Sequence, residues 1–235
     1  MNFLSSKLTA SPALVRVAPF GVFLILTFLQ GQFGETGRYW IYVGKSLLGA
    51  CLVSIAWPLV AEMRWKVSAS AIGVGVAVFA LWVGLDPFVP KQPELWDKLG
   101  FSKPPQHPSL PWNPFVQFGE GTTLAWFFVC ARILGSSLVV PPLEEVFYRS
   151  FVYRWIARPD FQSVKLGEFS LKSFPLTALV FGFAHNEWLA GILCAAAYQG
   201  LVCWKKNLGE AMTAHAITNF LLGIYIINRG QWQFW

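Results

Sequence analysis

The chain has 235 residues, of which 55% are hydrophobic, 17% aromatic and only 13% charged, and its mean hydropathy is +0.49. Soluble domains carry about one-quarter charged residues, so this composition excludes an ordinary soluble enzyme and points to an integral membrane protein. The net charge of +6 suggests nucleic acid at first sight, but the basic residues sit in short clusters between apolar runs, as loops on a cytoplasmic face do, and nucleic-acid binding is set aside.

Lys7 and Arg16 precede an apolar run from Val17 to Leu29. No small-x-small cleavage site follows, so a retained first helix is expected rather than a secretory signal. Trp40–Val60 reads as a second span with Trp40 and Tyr42 as interfacial anchors. Val67–Leu85 is a third, and its Ala69/Gly73 and Ala71/Gly75 pairs have the spacing that lets helices approach closely. Proline-rich Asp86–Glu120 reads as an extramembrane loop with room for a short interfacial piece, and His107 within it reads as a solvent-exposed loop residue.

Gly121–Val140 is a fourth run, leading into Pro141-Pro142-Leu143-Glu144-Glu145-Val146-Phe147-Tyr148-Arg149 and on to Arg158. Phe174–Trp188 and Leu189–Trp204 are two runs joined by a tight turn at His185–Trp188, and Leu208–Ile227 is the last. The expected fold is an all-α, polytopic membrane helix bundle of seven or eight transmembrane helices, the number turning on whether Pro141–Pro142 starts a new one. Two parts are expected, residues 1–120 with the amino-terminal helices and external loop, and 121–235 with the remaining bundle. With a cytoplasmic amino terminus, Arg64, Lys66, Arg154, Arg158, Lys165, Lys172, Lys205 and Lys206 all fall inside. Cys51, Cys130, Cys194 and Cys203 lie in apolar segments without C-x-x-C spacing and read as small buried hydrophobes.

Charge inside a membrane segment is costly and points to function, which singles out Glu144, Glu145 and Arg149. His185 and His215 are likewise set in apolar stretches read as helical. At ~1.5 Å of rise per residue, Glu144 lies ~21 Å from Arg158, His185 ~20 Å from Lys172 and His215 ~14 Å from Lys206, so all three reach a similar level. Glu145 and Arg149 share a helix face at i and i+4 and are expected to pair, leaving Glu144 turned about 100° away toward the histidines. His215 and Asn219 are also i and i+4. Plainer readings stand beside these. The glutamates after Pro141–Pro142 suit a helix amino terminus at an interface, His185 suits a turn, and His215 with Asn219 suits hydrogen bonding between helices.

Glu-Glu-x-x-x-Arg, Phe-x-x-x-His and His-x-x-x-Asn, in that order on successive helices, resemble the CAAX protease and bacteriocin-processing (CPBP, or Abi) family of intramembrane endopeptidases, over about Gly121 to Ile227. The resemblance implies that Glu144 and His185 activate a water that attacks a peptide carbonyl, that His215 and Asn219 hold the oxyanion, and that Arg149 orients Glu145. It implies a membrane-protein or peptide substrate, a lipid bilayer around the enzyme, and a multi-pass protein of a bacterial inner membrane. The long external loop and seven-helix layout look most like a branch found with exosortase systems. Metal-free glutamate catalysis is favoured over a zinc site of Glu144, His185 and His215. A catalytically idle relative acting as scaffold, immunity factor or sorting accessory is the alternative; a transporter is disfavoured because no repeat is seen.

Overall fold

The computed structural model describes residues 11–101 and 111–235; His107 and Lys7 lie outside the described residues. All regular structure among the described residues is helical. The long helices are α1 (Pro12–Gln30), α2 (Gly34–Ala56), α3 (Ala69–Leu85), and, after two short helices α4 (Gln92–Lys98) and α5 (Pro114–Phe118), α6 (Thr123–Ala157), α7 (Ser173–Gly182), α8 (Trp188–Lys205) and α9 (Leu208–Arg229). Among the described residues, three stretches are long and apolar enough to cross a membrane, Pro12–Ala56, Thr123–Ala157 and Leu208–Arg229. The first of these is folded at Gly31–Gly34 into the α1–α2 pair.

Local chemistry sets the boundaries. Ser11, Ser68, Thr122 and Asn207 cap α1, α3, α6 and α9, their side chains accepting from backbone N–H groups of the first turn, which satisfies donors that a helix start otherwise leaves unpaired. Gly230 ends α9 in the left-handed conformation, φ 65°, where a Cβ is disfavoured.

Of the two arrangements open at Pro141–Pro142, α6 takes the continuous one. The runs Gly121–Val140 and Pro141–Arg158 form one helix, and the prolines lie inside it, so Glu144 and Glu145 are mid-helix residues and not an interfacial cap. Two π-helical segments, Gly135–Val139 and Val146–Val152, flank the glutamates. Proline has no N–H to give the ladder and clashes with the preceding turn; the first π segment widens that turn, the Val140 N–H reaching back to Gly135 O. At ~1.5 Å per residue this helix is longer than the ~30 Å hydrocarbon core.

The basic loops gather at one end of the bundle. Arg16 of α1, Glu62 of the α2–α3 loop, and Ser150 and Arg154 of α6 interlock there, Lys206 donates to Gly167 O at 2.5 Å, and the Lys66 N–H meets Gly209 O. Glu210 accepts from Ser68 and Ser70. At the opposite end the segment from Asp86 to Gln92 packs against the α7–α8 bend, Gln92 donating to Phe183 O at 2.6 Å and Lys91 pairing with Asp86 and Glu187. The amino-terminal helix is part of the core, with Phe20 and Phe23 buried.

Between the ends, α3 and α9 cross closely. A Cβ on Gly75 would stand 2.6 Å from Ala214 O, so the Ala71/Gly75 pair makes the close approach that its spacing promised, while Gly73 faces open space. Cys51 and Cys130 are exposed, contrary to the buried reading, and Cys194 is buried. Apolar composition alone does not separate a lipid-facing position from a core one.

Candidate active site

Three elements bring the singled-out residues together. Glu144, Glu145 and Arg149 are carried by α6, His215 and Asn219 by α9, and His185 by the bend between α7 and α8. Helix α7 stops at Gly182, so His185 sits in a turn and not inside a helix as its apolar setting suggested. Only glycine permits that arrangement: a Cβ at Gly182 would lie 2.3 Å from Ile192 and 2.7 Å from Trp188 O, where α8 folds back over α7.

Glu145 and Arg149 make the expected i, i+4 ion pair, Arg149 Nε to Glu145 Oε2 at 3.1 Å, with both side chains fully buried. The pairing is wider than the spacing indicated. Glu145 Oε1 also lies 3.0 Å from His215 Nδ1, so the second glutamate joins α6 to α9 and is not a self-contained support. The Arg149 guanidinium sits over aromatic faces, 4.6 Å from the Phe181 ring centre, 5.7 Å from Tyr148 and 5.9 Å from Tyr198. Ring quadrupoles stabilise a buried cation where water cannot.

Glu144, turned away from that pair, lines a cavity of about 610 Å³ with His185, His215 and Asn219. Its Oε2 is buried without a hydrogen-bond partner, a state that strongly favours finding one. No hydrogen bond joins Glu144 to either histidine among the described residues; the groups meet across the cavity. His185 Nδ1 lies 2.8 Å from Phe181 O, and a carbonyl only accepts, so Nδ1 carries a proton, and whenever the ring is neutral Nε2 is its lone pair. Phe181 stands between the two imidazoles, its ring centre 4.7 Å from that of His185 and 6.4 Å from that of His215. Tyr198 stacks on His215 at 5.3 Å, its hydroxyl held by Thr218.

Asn219 has a structural bond of its own, Nδ2 to Ser136 O at 2.8 Å, so the reading of it as an interhelical tie holds. An amide nitrogen has two N–H groups, and the second remains.

No group of three His, Cys, Asp or Glu side chains among the described residues is gathered to hold a metal ion. Glu144, His185 and His215 line the same cavity.

The cavity also holds residues that motif spacing passed over. Lys45 and Arg132 line it, as does Tyr42, which is buried and not an interfacial anchor; its hydroxyl donates to Arg132 O at 3.1 Å. The signal for the two cations was present, since each is a basic residue inside an apolar run.

Residues 125–221 match the family model described as type II CAAX prenyl endopeptidase Rce1-like. The match contains Glu144, Glu145, Arg149, His185, His215 and Asn219, and leaves out Lys45, Glu62 and Gln92. No curated protein and no solved structure matches the chain.

Proposed function

Because residues 125–221 match the type II CAAX prenyl endopeptidase Rce1-like family model, we propose that this protein hydrolyses a peptide bond of a membrane-tethered protein or peptide. Glu144, His185, His215 and Asn219 carry the reaction. The observation that supports this most directly is that all four, drawn from three separate elements, line one cavity in which a Glu144 carboxylate oxygen has no partner.

The chemistry needs a base, a water and an oxyanion site. Water held between Glu144 and the free Nε2 of His185 attacks the carbonyl carbon, and its proton passes to Glu144. A doubly protonated His215 donates to Glu145 through Nδ1 and to the oxyanion through Nε2; the second N–H of Asn219 is the other donor. As the intermediate collapses the C–N bond breaks, Glu144 returns the proton to the leaving amine, and a carboxylate and an amine are released.

Residues 121–235 then form the catalytic bundle, and the amino-terminal part completes the cavity wall through Phe20, Tyr42, Lys45 and Trp82. The basic end faces the cytoplasm of a bacterial cell, as the positive-inside rule asks. The type II CAAX description concerns the family and does not make a prenylated chain the substrate here.

Mass spectrometry of membrane-protein termini, in cells carrying wild type or Glu144→Gln, tests the reading. New termini are expected with wild type and not with Glu144→Gln or His185→Ala, both inserting normally. Identical termini in all three, with cellular function kept, overturn the peptidase reading and leave an idle binding relative. With purified protein, 1,10-phenanthroline is expected to leave cleavage intact.

A further inference from the structure

Helix α7 ends at Gly182, and the bend that carries His185 into α8 is only partly held by its own hairpin. Ala184 and Asn186 within it are exposed. The N–H groups of Phe183, Ala184 and His185 reach back to Leu179, Phe181 and Gly182 O, but the carbonyls of Phe183 and Asn186 lie beyond the end of α7. Both are met by one residue from another part of the chain. Gln92 Nε2 donates to Phe183 O at 2.6 Å, and the Gln92 backbone N–H donates to Asn186 O at 2.8 Å. A single residue thus grips the main chain on each side of His185.

The local sequence frees Gln92 for this task. It opens α4, where the first N–H groups of a helix have no intrahelical partner, and Pro93 behind it suits a first turn. Its neighbours repeat the attachment. Lys91 pairs with Glu187 at 3.0 Å, the Trp188 indole N–H donates to Pro90 O at 3.1 Å, and Trp96, one turn along α4, stacks on Phe183 with ring centres 5.6 Å apart. Gln92 also lines the cavity beside His185, although it lies outside residues 125–221.

We infer that Gln92 is a positioning residue for His185, holding the bend so that the imidazole and Glu144 can share one water. This rests on the peptidase reading of the same cavity. The imidazole is tied to its own hairpin through Nδ1 and Phe181 O, and is flanked by the rings of Phe181 and Trp82. Those contacts orient the ring relative to α7 and α3, whereas Gln92 fixes the main chain that bears it. A water shared by two groups needs both within ~2.6–3.2 Å, and a displacement of ~1 Å costs up to ~100-fold in rate.

Gln92→Met removes the side-chain donor while keeping its length and the backbone N–H. In the purified full-length protein it is expected to lower kcat by up to about 100-fold with KM little changed, because the residue acts on the bend and not on the substrate. Hydrogen exchange at the amides of Phe183, Ala184 and His185 is expected to quicken by about three- to tenfold, the worth of one hydrogen bond, while amides of α9 keep their protection. Gln92→Lys, which returns an N–H donor, restores both quantities. Where the methionine variant does not insert, Gln92→Asn withdraws the amide by one carbon and gives the same comparison. Exchange at the bend that stays at the wild-type rate, a kcat that holds despite faster exchange, or methionine and lysine variants that are equally slow overturns the assignment. Exchange needs no turnover. A bend loosened by Gln92→Met and held again by Gln92→Lys, in a protein that cuts nothing, keeps the clamp and removes the peptidase reading.

Discussion

Glu145 Oε1 stands 3.0 Å from Nδ1 of His215, while its second oxygen is 3.1 Å from Nε of Arg149. One buried carboxylate thus orients an imidazole on a neighbouring helix and is itself held by a guanidinium four residues away. Glu145→Gln keeps an acceptor for Nδ1 but removes the charge that balances a doubly protonated His215. The variant is expected to lose about 100-fold in kcat with KM little changed. Single-turnover cleavage by the folded fraction checks this; an unchanged kcat would remove His215 from the oxyanion role.

Arg149 is fully buried, and aromatic rings cannot replace its one carboxylate. Arg149→Met strands Glu145 in the core, which costs about 3–5 kcal/mol when one member of a buried pair is lost. Replacing both, as Glu145→Leu with Arg149→Met, is expected to recover most of that stability and no activity. Denaturation by sodium dodecyl sulfate from a mild detergent measures both.

At the basic end Glu62 accepts from Arg16 at 2.7 Å and also from Ser150. Burial acts to raise its pKa, but the hydrogen bonds from Ser150 and Arg16, with the charge of Arg16, outweigh it and hold the carboxyl below its ordinary 4.5. A depressed folded value means that Glu62 contributes stability above its unfolded pKa and loses it as pH falls through the folded one. The thermal midpoint is therefore expected to drop on acidification below about pH 4.5. Glu62→Gln should start lower at neutral pH and change less over that window; equal slopes would contradict the tie.

Much of this was readable from the chain, and the parts that were not have physical reasons. Helical period placed Glu145 on the face of Arg149 because i, i+4 geometry is local. It could not place His215 on Glu145, since that contact depends on how α6 and α9 pack. The turn expected at His185–Trp188 begins earlier, after Gly182, a shift the sequence conceals because Phe181 and Phe183 continue the apolar character past the end of α7. Lys45 and Arg132 drew less notice than Glu144 because neither belongs to a recognisable motif, although their cost in a bilayer is of the same kind.

The prolines connect the fold to Asn219. In α6 the Val140 N–H goes to Gly135 O, and the residue that would next serve Ser136 O is Pro141, which has no N–H. Asn219 Nδ2 supplies that donor from α9 at 2.8 Å. Asn219→Ala therefore orphans a carbonyl in the bundle and is expected to cost about 1–3 kcal/mol, in addition to any loss of rate. Pro141→Ala returns an N–H five residues from Ser136, so in the Asn219→Ala background it should restore stability. It should not restore cleavage, because the second Asn219 N–H, the one assigned to the oxyanion, is still missing. Unfolding and turnover measured on the two single variants and the double variant separate these roles. If Pro141→Ala rescues both quantities together, Asn219 acts only as an interhelical tie.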